Sequence, residues 1–343
     1  MKRTSIYSFE NFQKKITWKY FLFSMVFFSL AVSQDAQFSQ YASSPLSLNP
    51  AMTGRINNTF RFSSNYRTQN QNITSNNYRT TFASLDVPLF QQTIGVGFIV
   101  LNSTAGDADL KTFNALVSVS YTFSIGRKHH HHVSLGVQSG IISKSFDPSK
   151  LIFNSQYHNG EFDVTLPSGE SFNKTATQFE DVNAGLLWYL DKQTLRSVVP
   201  FAGVSVFHFT EPNQSFFGGK SFLSRKFSLV AGMNYPLSET FTVSPHILWL
   251  KQNAAQQIHP AILLQYGDGK NYFLAGTSFR LGDAVVAYSG IQSKNITFGF
   301  SYDITVSPLK NAGTGISGFE LSFSYFGDVL EEQVPTIIPC FRF

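Results

Sequence analysis

The chemistry-bearing side chains of this 343-residue chain gather in a few places. Four consecutive histidines, His129–His132, present imidazole nitrogens of the kind that ligate metals. Asp147, Glu161, Asp163 and Glu170 fall in one stretch and carry the carboxylate oxygens that calcium takes. His208 stands just before "TEPNQ", and Cys340 is the single thiol. None of these sets completes a site. Neighbouring residues of a strand point to opposite faces, and no carboxylate or Cys stands near the histidines to fill a shell. The tetrad therefore reads as a polar turn after "SIGRK". The carboxylates lack the D-x-D-x-D-G spacing of an EF-hand and read as solvated loop charge. His208 reads as a barrel-rim residue touching the interface or a neighbouring loop. No spacing marks a nucleophile with its base, and no glycine loop is built to cradle phosphate. The chain is accordingly read as non-enzymatic, with no catalytic, cofactor or metal residues.

The elements that carry these residues begin with an export signal. Lys2, Arg3, Lys14, Lys15 and Lys19 precede an apolar run from Tyr20 to Val32. That run is too short to span a bilayer but suits the core of a signal peptide. Ala31 and Ser33 are small residues at the positions a signal peptidase reads, so residues 1–33 are predicted to be removed before Gln34. The leader also holds five of the 26 basic residues and one of the 21 acidic ones, so the remainder is close to neutral. Nucleic acid, which needs a clustered basic face, is not an expected partner. Cys340 has no second Cys to pair with, so an internal disulfide is excluded. The thiol reads as passive and partly exposed, with a disulfide to a partner or a modification left open.

Aromatic residues reach 15% while charged residues fall to 14%, well below the usual quarter. The exported portion nevertheless has no run of about 18 apolar residues. The remaining way to satisfy a backbone in lipid is a closed β-barrel. Alternation supports it. In "FNALVSVSYTF" the residues Phe113, Ala115, Val117, Val119, Tyr121 and Phe123 share one face, with Asn114, Ser118, Ser120 and Thr122 opposite. "ITFGFSYDI" and "FELSFSYF" repeat the pattern, with Asp303 and Glu320 on their polar faces. Strands of this kind are expected near 58, 78, 93, 110, 133, 178, 199, 225, 240, 256, 271, 284, 295 and 318, those near 199, 240 and 256 with poor alternation. The fold predicted is an all-β transmembrane antiparallel barrel of about 14 strands over residues 58–327. An even count returns both termini to one side, expected to be periplasmic, with the long connections on the other.

The segment 34–57 fits neither helix nor strand. Its "DAQFSQYASSPLSLNPAMTG" resembles the head of the PorP/SprF family of outer-membrane barrels, associated with type IX secretion and gliding motility in Bacteroidota. The resemblance continues in "GVGFIVLNSTAGD", "GVSVFHFTEPNQSFFGG", "SYDITVSPLKNAGTGISGFELSFSY" and the ending "PCFRF". Ala36, Ser44 and Phe341 depart from the family's usual Pro, Asn and Pro. The resemblance implies a protein without catalysis, linked to periplasmic secretion and motility proteins or paired with the C-terminal domain of a secreted adhesin. Besides the lipid bilayer, such a cargo and such machinery are the expected partners. Partner-binding or plug residues are then expected at Phe38, Tyr41, Asn49, Pro50, Gly54, Asn213, Gln214, Phe216, Cys340, Arg342 and Phe343. Segment 34–57 is predicted to be an ordered, irregular plug low in the barrel, with Leu46 and Leu48 joining Phe38 and Tyr41 against the wall. Residues 328–343, which carry Pro335 and Pro339, are read as a periplasmic contact tail, with a lumenal plug as the competing view. The alternative function is a fatty-acid-transporter-like channel for small hydrophobic compounds, a class that also carries Asn-Pro-Ala in an N-terminal lumenal hatch. Asn49, Pro50 and Ala51 match that motif.

Overall fold

The computed structural model describes residues 35–69, 78–106, 108–126, 130–158, 160–163, 165–172, 174–190, 197–308 and 316–328. The leader, His129, and the tail with Cys340, Arg342 and Phe343 lie outside them. Fourteen antiparallel strands close into a barrel. They are β1 (Arg61–Gln69), β2 (Tyr78–Leu89), β3 (Ile94–Ala105), β4 (Leu110–Ile125), β5 (His131–Ser145), β6 (Ala176–Leu190) and β7 (Val199–Phe207). There follow β8 (Lys226–Pro236), β9 (Phe241–Gln252), β10 (Ala255–Gly267), β11 (Asn271–Arg280), β12 (Ala284–Ser293), β13 (Ile296–Thr305) and β14 (Ile316–Phe326). Each strand pairs with its neighbour in sequence, and β14 closes on β1, with Arg61 opposite Phe326 and Gln69 opposite Gly318. A two-rung ladder of Tyr157–His158 on Glu161–Phe162 forms inside the connection after β5.

The two faces divide as a membrane barrel requires. Along β4, Phe113, Val117, Val119, Tyr121 and Phe123 are exposed on the outer wall, while Ser118, Ser120 and Thr122 are buried inward. Along β13, Ile296, Phe298, Phe300 and Ile304 face out, with Thr297, Ser301 and Asp303 buried between them. A soluble barrel would show the reverse, so the apolar band is the surface that lipid covers. Strands near 199, 240 and 256 are present despite their weak pattern, which has a physical cause. They carry Pro200, Pro245 and Pro260, each of which removes a ladder donor and interrupts the β-branched and aromatic run. β4, β5 and β6 run 16, 15 and 15 residues, longer than a bilayer needs, because they continue pairing with one another past the band.

The barrel has two unlike ends. At the end that holds both the start of β1 and the end of β14, connections such as 90–93, 237–240, 268–270 and 294–295 are short. Asp268 closes one of them by accepting from the Lys270 and Asn271 N–H groups at 3.0 and 2.8 Å, with Gly269 at φ +92°. The opposite end carries the long connections, 146–175 and 208–225. These are called the termini end and the loop end below.

Candidate functional site: a filled lumen and an aromatic loop face

The lumen is occupied by the chain's own head. Residues 38–56 turn through three short helical pieces, Tyr41–Ser43, Pro45–Leu48 and Pro50–Met52, and most of their side chains are buried. Pro45 and Pro50 sit at first helical positions, where a missing N–H is harmless. Asn49 between them is extended, and its Oδ1 accepts from the Ala51 N–H at 2.9 Å, the usual role of an N-cap.

A segment this irregular has few internal partners for its carbonyls, and the lumen-facing residues of the strands supply them. Gln138 donates to the Leu46 carbonyl, Ser205 to Leu48 and Ser134 to Ala51, each at 2.8 Å, and Ser120 to Thr53 at 2.7 Å. The small polar residues of the alternating pattern are thus the plug's hydrogen-bond donors. Asn49 completes the set from the other side, its amide donating to the Leu186 and Val204 carbonyls at 3.0 and 3.1 Å. Apolar contacts fill the remainder. Phe38 and Leu46 pack with Phe82, Ile99 and Leu116. Tyr41, Leu48, Ala51 and Met52 pack with Leu187, Tyr189, Phe201 and Val230. Such a head is possible because the wall is thinned beneath it. A Cβ on Gly185 would overlap Asn49 Oδ1, and one on Gly136 would overlap the Pro50–Ala51 peptide.

Two ion clusters clamp the ends of the head. At the termini end, Arg61 forms a bidentate pair with Asp86 (2.9 and 2.8 Å) and also donates to the Met52 carbonyl at 3.2 Å. Asp86 accepts from the Gly54 N–H at 2.7 Å, and Gly54 is held at φ +66°, where a side chain would be strained. At the loop ends of β1, β11, β13 and β14, Asp303 accepts from Arg67 (2.7 Å), Arg280 (2.5 Å) and the Ser39 hydroxyl (2.8 Å). Glu320 accepts from the Ser39 and Gln40 N–H groups at 2.7 and 3.2 Å and from Asn65 at 2.9 Å, while Arg67 donates to the Gln37 carbonyl. The head therefore climbs the whole lumen, from Gly54 at the termini end to Gln37 near the loop end, instead of resting low in the barrel. Beside it, a small, partly open pocket lies between Ser39–Ser43 and β9–β13. The hydroxyls of Tyr41 and Tyr288, both lining it, have no hydrogen-bond partner.

The loop end carries the second grouping. Phe146 packs edge-on against Phe216 (5.0 Å) and Phe172 (5.3 Å), and Phe172 reaches Phe217 (6.1 Å). Lys144 donates to Gln214 at 2.6 Å, and Asn213 organises its own loop by accepting from the Ser215 and Ser221 N–H groups. The connections 146–175 and 208–225 are therefore one body, on which Ile152, Phe162, Phe209, Phe217 and Phe222 are more than half exposed.

Of the residues expected at a site, Phe38, Tyr41, Asn49, Pro50 and Gly54 come together in the lumen, and Asn213, Gln214 and Phe216 at the loop end. The two groups do not meet. His208, the first residue after β7, is buried at the loop-end rim with φ at 57°, its N–H donated to Asn183 and its Nδ1 3.0 Å from Asp181. Asp147 and Asp163 cap their own turns, and hydrogen bonds from Ser149 and Thr165 hold their carboxyls below the usual carboxylate range. His131 stacks on Trp188 and His132 on Tyr189. Among the described residues, no group of three His, Cys, Asp or Glu is placed to hold a metal. What sequence reading missed are the wall charges Arg61, Arg67, Asp86 and Arg280. Their signal was a charge inside an otherwise alternating strand, the same signal that placed Asp303 and Glu320 on polar faces.

Fold and filled lumen define a plugged, 14-stranded barrel of the outer-membrane type. The chain belongs to the family of type IX secretion system membrane proteins PorP/SprF, whose profile matches residues 31–325. No curated protein matches it in sequence. Among solved structures, the toluene transporter TbuX of Ralstonia pickettii is similar in fold, at 11% identity and a TM-score of 0.52, over 84% of this chain and 94% of that one. The P. putida toluene transporter TodX aligns at 12% identity over 82% and 93%, with a TM-score of 0.46. The chain is thus an outer-membrane barrel of the type IX secretion system.

Proposed function

We propose that this barrel is a non-enzymatic docking component of type IX secretion. The C-terminal domain of a secreted adhesin is held on the loop end, outside the cell, and secretion or motility machinery meets the termini end, in the periplasm. The observation that carries the reading is the filled lumen. With the head hydrogen-bonded along the whole bore, the folded surface left for a protein partner at the loop end is the aromatic body built by 146–175 and 208–225. Exposed aromatic anchors on a rigid base are what protein recognition uses. Family membership supports the assignment to secretion. Deleting the gene and following every type IX cargo at the cell surface tests it: loss or shedding of at least one cargo is expected, and unchanged display of all of them contradicts it.

A second reading, a channel for small hydrophobic compounds, is favoured by the cavity beside Tyr41 and by the fold shared with a toluene transporter. It requires the head to move, against the hydrogen bonds and ion pairs that hold it.

A further inference from the structure

On the outer face of β2–β5 the strand pairing sets side chains into rows that cross from strand to strand. Val87, Val96, Val119 and Val137 form one, Leu85, Phe98, Val117 and Ser139 the next, and Ala83, Val100, Ala115 and Ile141 the third. Toward the loop end the character changes. Thr81, Asn102, Phe113 and Ser143 make a mixed row, and the row after it is Arg79, Thr104, Lys111 and Ser145. Successive rows lie about 7 Å apart along the strands. With the tilt of barrel strands, the last row stands about 10 Å beyond the Ala83 row, far enough to leave the hydrocarbon for the headgroup layer.

Arg79 and Lys111 are both exposed on this last row, and neither has an ion pair among the described residues. The described acids next to Lys111 in the loop end are engaged elsewhere. Asp109 pairs with Lys150, and Asp147 caps its own turn by accepting from the Ser149 N–H and hydroxyl. Lys111 adds to the field that holds the Asp147 carboxyl low, without bonding to it. One strand, carrying Thr104, separates the two cations, so their backbones stand about 10 Å apart. Both long side chains can therefore reach a single group held over the Thr104 hydroxyl. We propose that Arg79 and Lys111, with Thr104 between them, bind the phosphate of an anionic membrane lipid and hold it as a boundary lipid against β2–β4. The patch continues directly from the lipid-covered wall, and Phe98, Val117 and Val119 beneath it take the acyl chains, which favours a lipid over a free phosphate. This goes beyond the proposed function and holds whichever side of the membrane the loop end faces.

Native mass spectrometry of the full-length, detergent-solubilised barrel, titrated with phosphatidylglycerol or with phosphatidylcholine of the same acyl chains, tests this. Phosphatidylglycerol is expected to be retained about thirtyfold better than phosphatidylcholine, from about fivefold for each cation. Arg79→Gln and Lys111→Gln should each lower its retention about fivefold, and the double variant should bring it to the phosphatidylcholine level. Arg79→Lys, which keeps the charge, should retain it. Lys270→Gln/Lys294→Gln removes the same charge from exposed turns at the termini end and should leave retention unchanged. Equal retention of the two lipids by the wild type overturns the proposal, as does an equal loss in the termini-end variant, which would be a general charge effect. Inorganic phosphate that displaces the lipid at equal concentration would reveal a free-anion site and overturn it as well.

Discussion

Asn49 stands against Gly185 so closely that no Cβ fits between them, and from that position its amide reaches the main-chain carbonyls of two adjacent strands. The contact joins the Asn-Pro-Ala turn of the head to the wall by shape as well as by hydrogen bonds. Gly185→Val must therefore push the head off β6. The expected result is a folded barrel whose residues 35–57 become sensitive to protease, while cleavage within the strands is unchanged. Asn49→Ala should act the same way more weakly, costing about 1–3 kcal/mol through the unsatisfied carbonyls and the lost cap.

The loop-end clamp gives a second prediction. Asp303 balances Arg67 and Arg280, and removing it takes the ion-pair partner from buried Arg67 and leaves Arg280 with Asp283 alone. Asp303→Ala should destabilise the barrel by about 3–5 kcal/mol, read as a lowered temperature for the band shift between folded and unfolded forms in detergent gels. Glu320→Ala should lower it as well, but with a distinct additional mark: the Ser39 and Gln40 N–H groups lose their acceptor, so protease should attack first near Gln40.

Much of this architecture was legible before the structure. "FNALVSVSYTF" announced both its strand and which face meets lipid, because Phe113 to Phe123 alternate against inward residues that are polar except for Leu116, which packs on the head. The height of the head was not legible. Its clamps, Arg67, Arg280, Asp303 and Glu320, are separated by up to about 250 positions in the chain and meet only when β14 closes on β1. The partner of His208 was illegible for a related reason: only the pairing of β6 with β7 brings it to Asp181.

On the outer wall, Phe300 is exposed midway along β13. Phe300→Arg places a charge in the hydrocarbon and should cost about 2–4 kcal/mol, measured by reversible unfolding in phospholipid vesicles. Phe298→Arg, nearer the termini end of the same strand, should cost less, because the penalty falls toward the interfaces.

The loop body can be weakened without touching the barrel. Phe146→Ala and Phe216→Ala together remove the edge-on pair that joins the two long connections, which lie beyond the strands. The unfolding temperature is expected to stay within a few degrees of wild type, while retention of secreted adhesin at the cell surface falls.

The central claim is that the protein holds a type IX partner on its loop end and not a small compound in its bore. Affinity purification of the full-length barrel in mild detergent, followed by mass spectrometry, tests it most directly. A secreted protein with a type IX C-terminal domain is expected to co-purify with the wild type, to be lost with the Phe146→Ala/Phe216→Ala variant, and to be retained with Glu320→Ala. A preparation that carries no secreted or periplasmic protein from such cells, but does carry a small hydrophobic compound beside Tyr41, would contradict it.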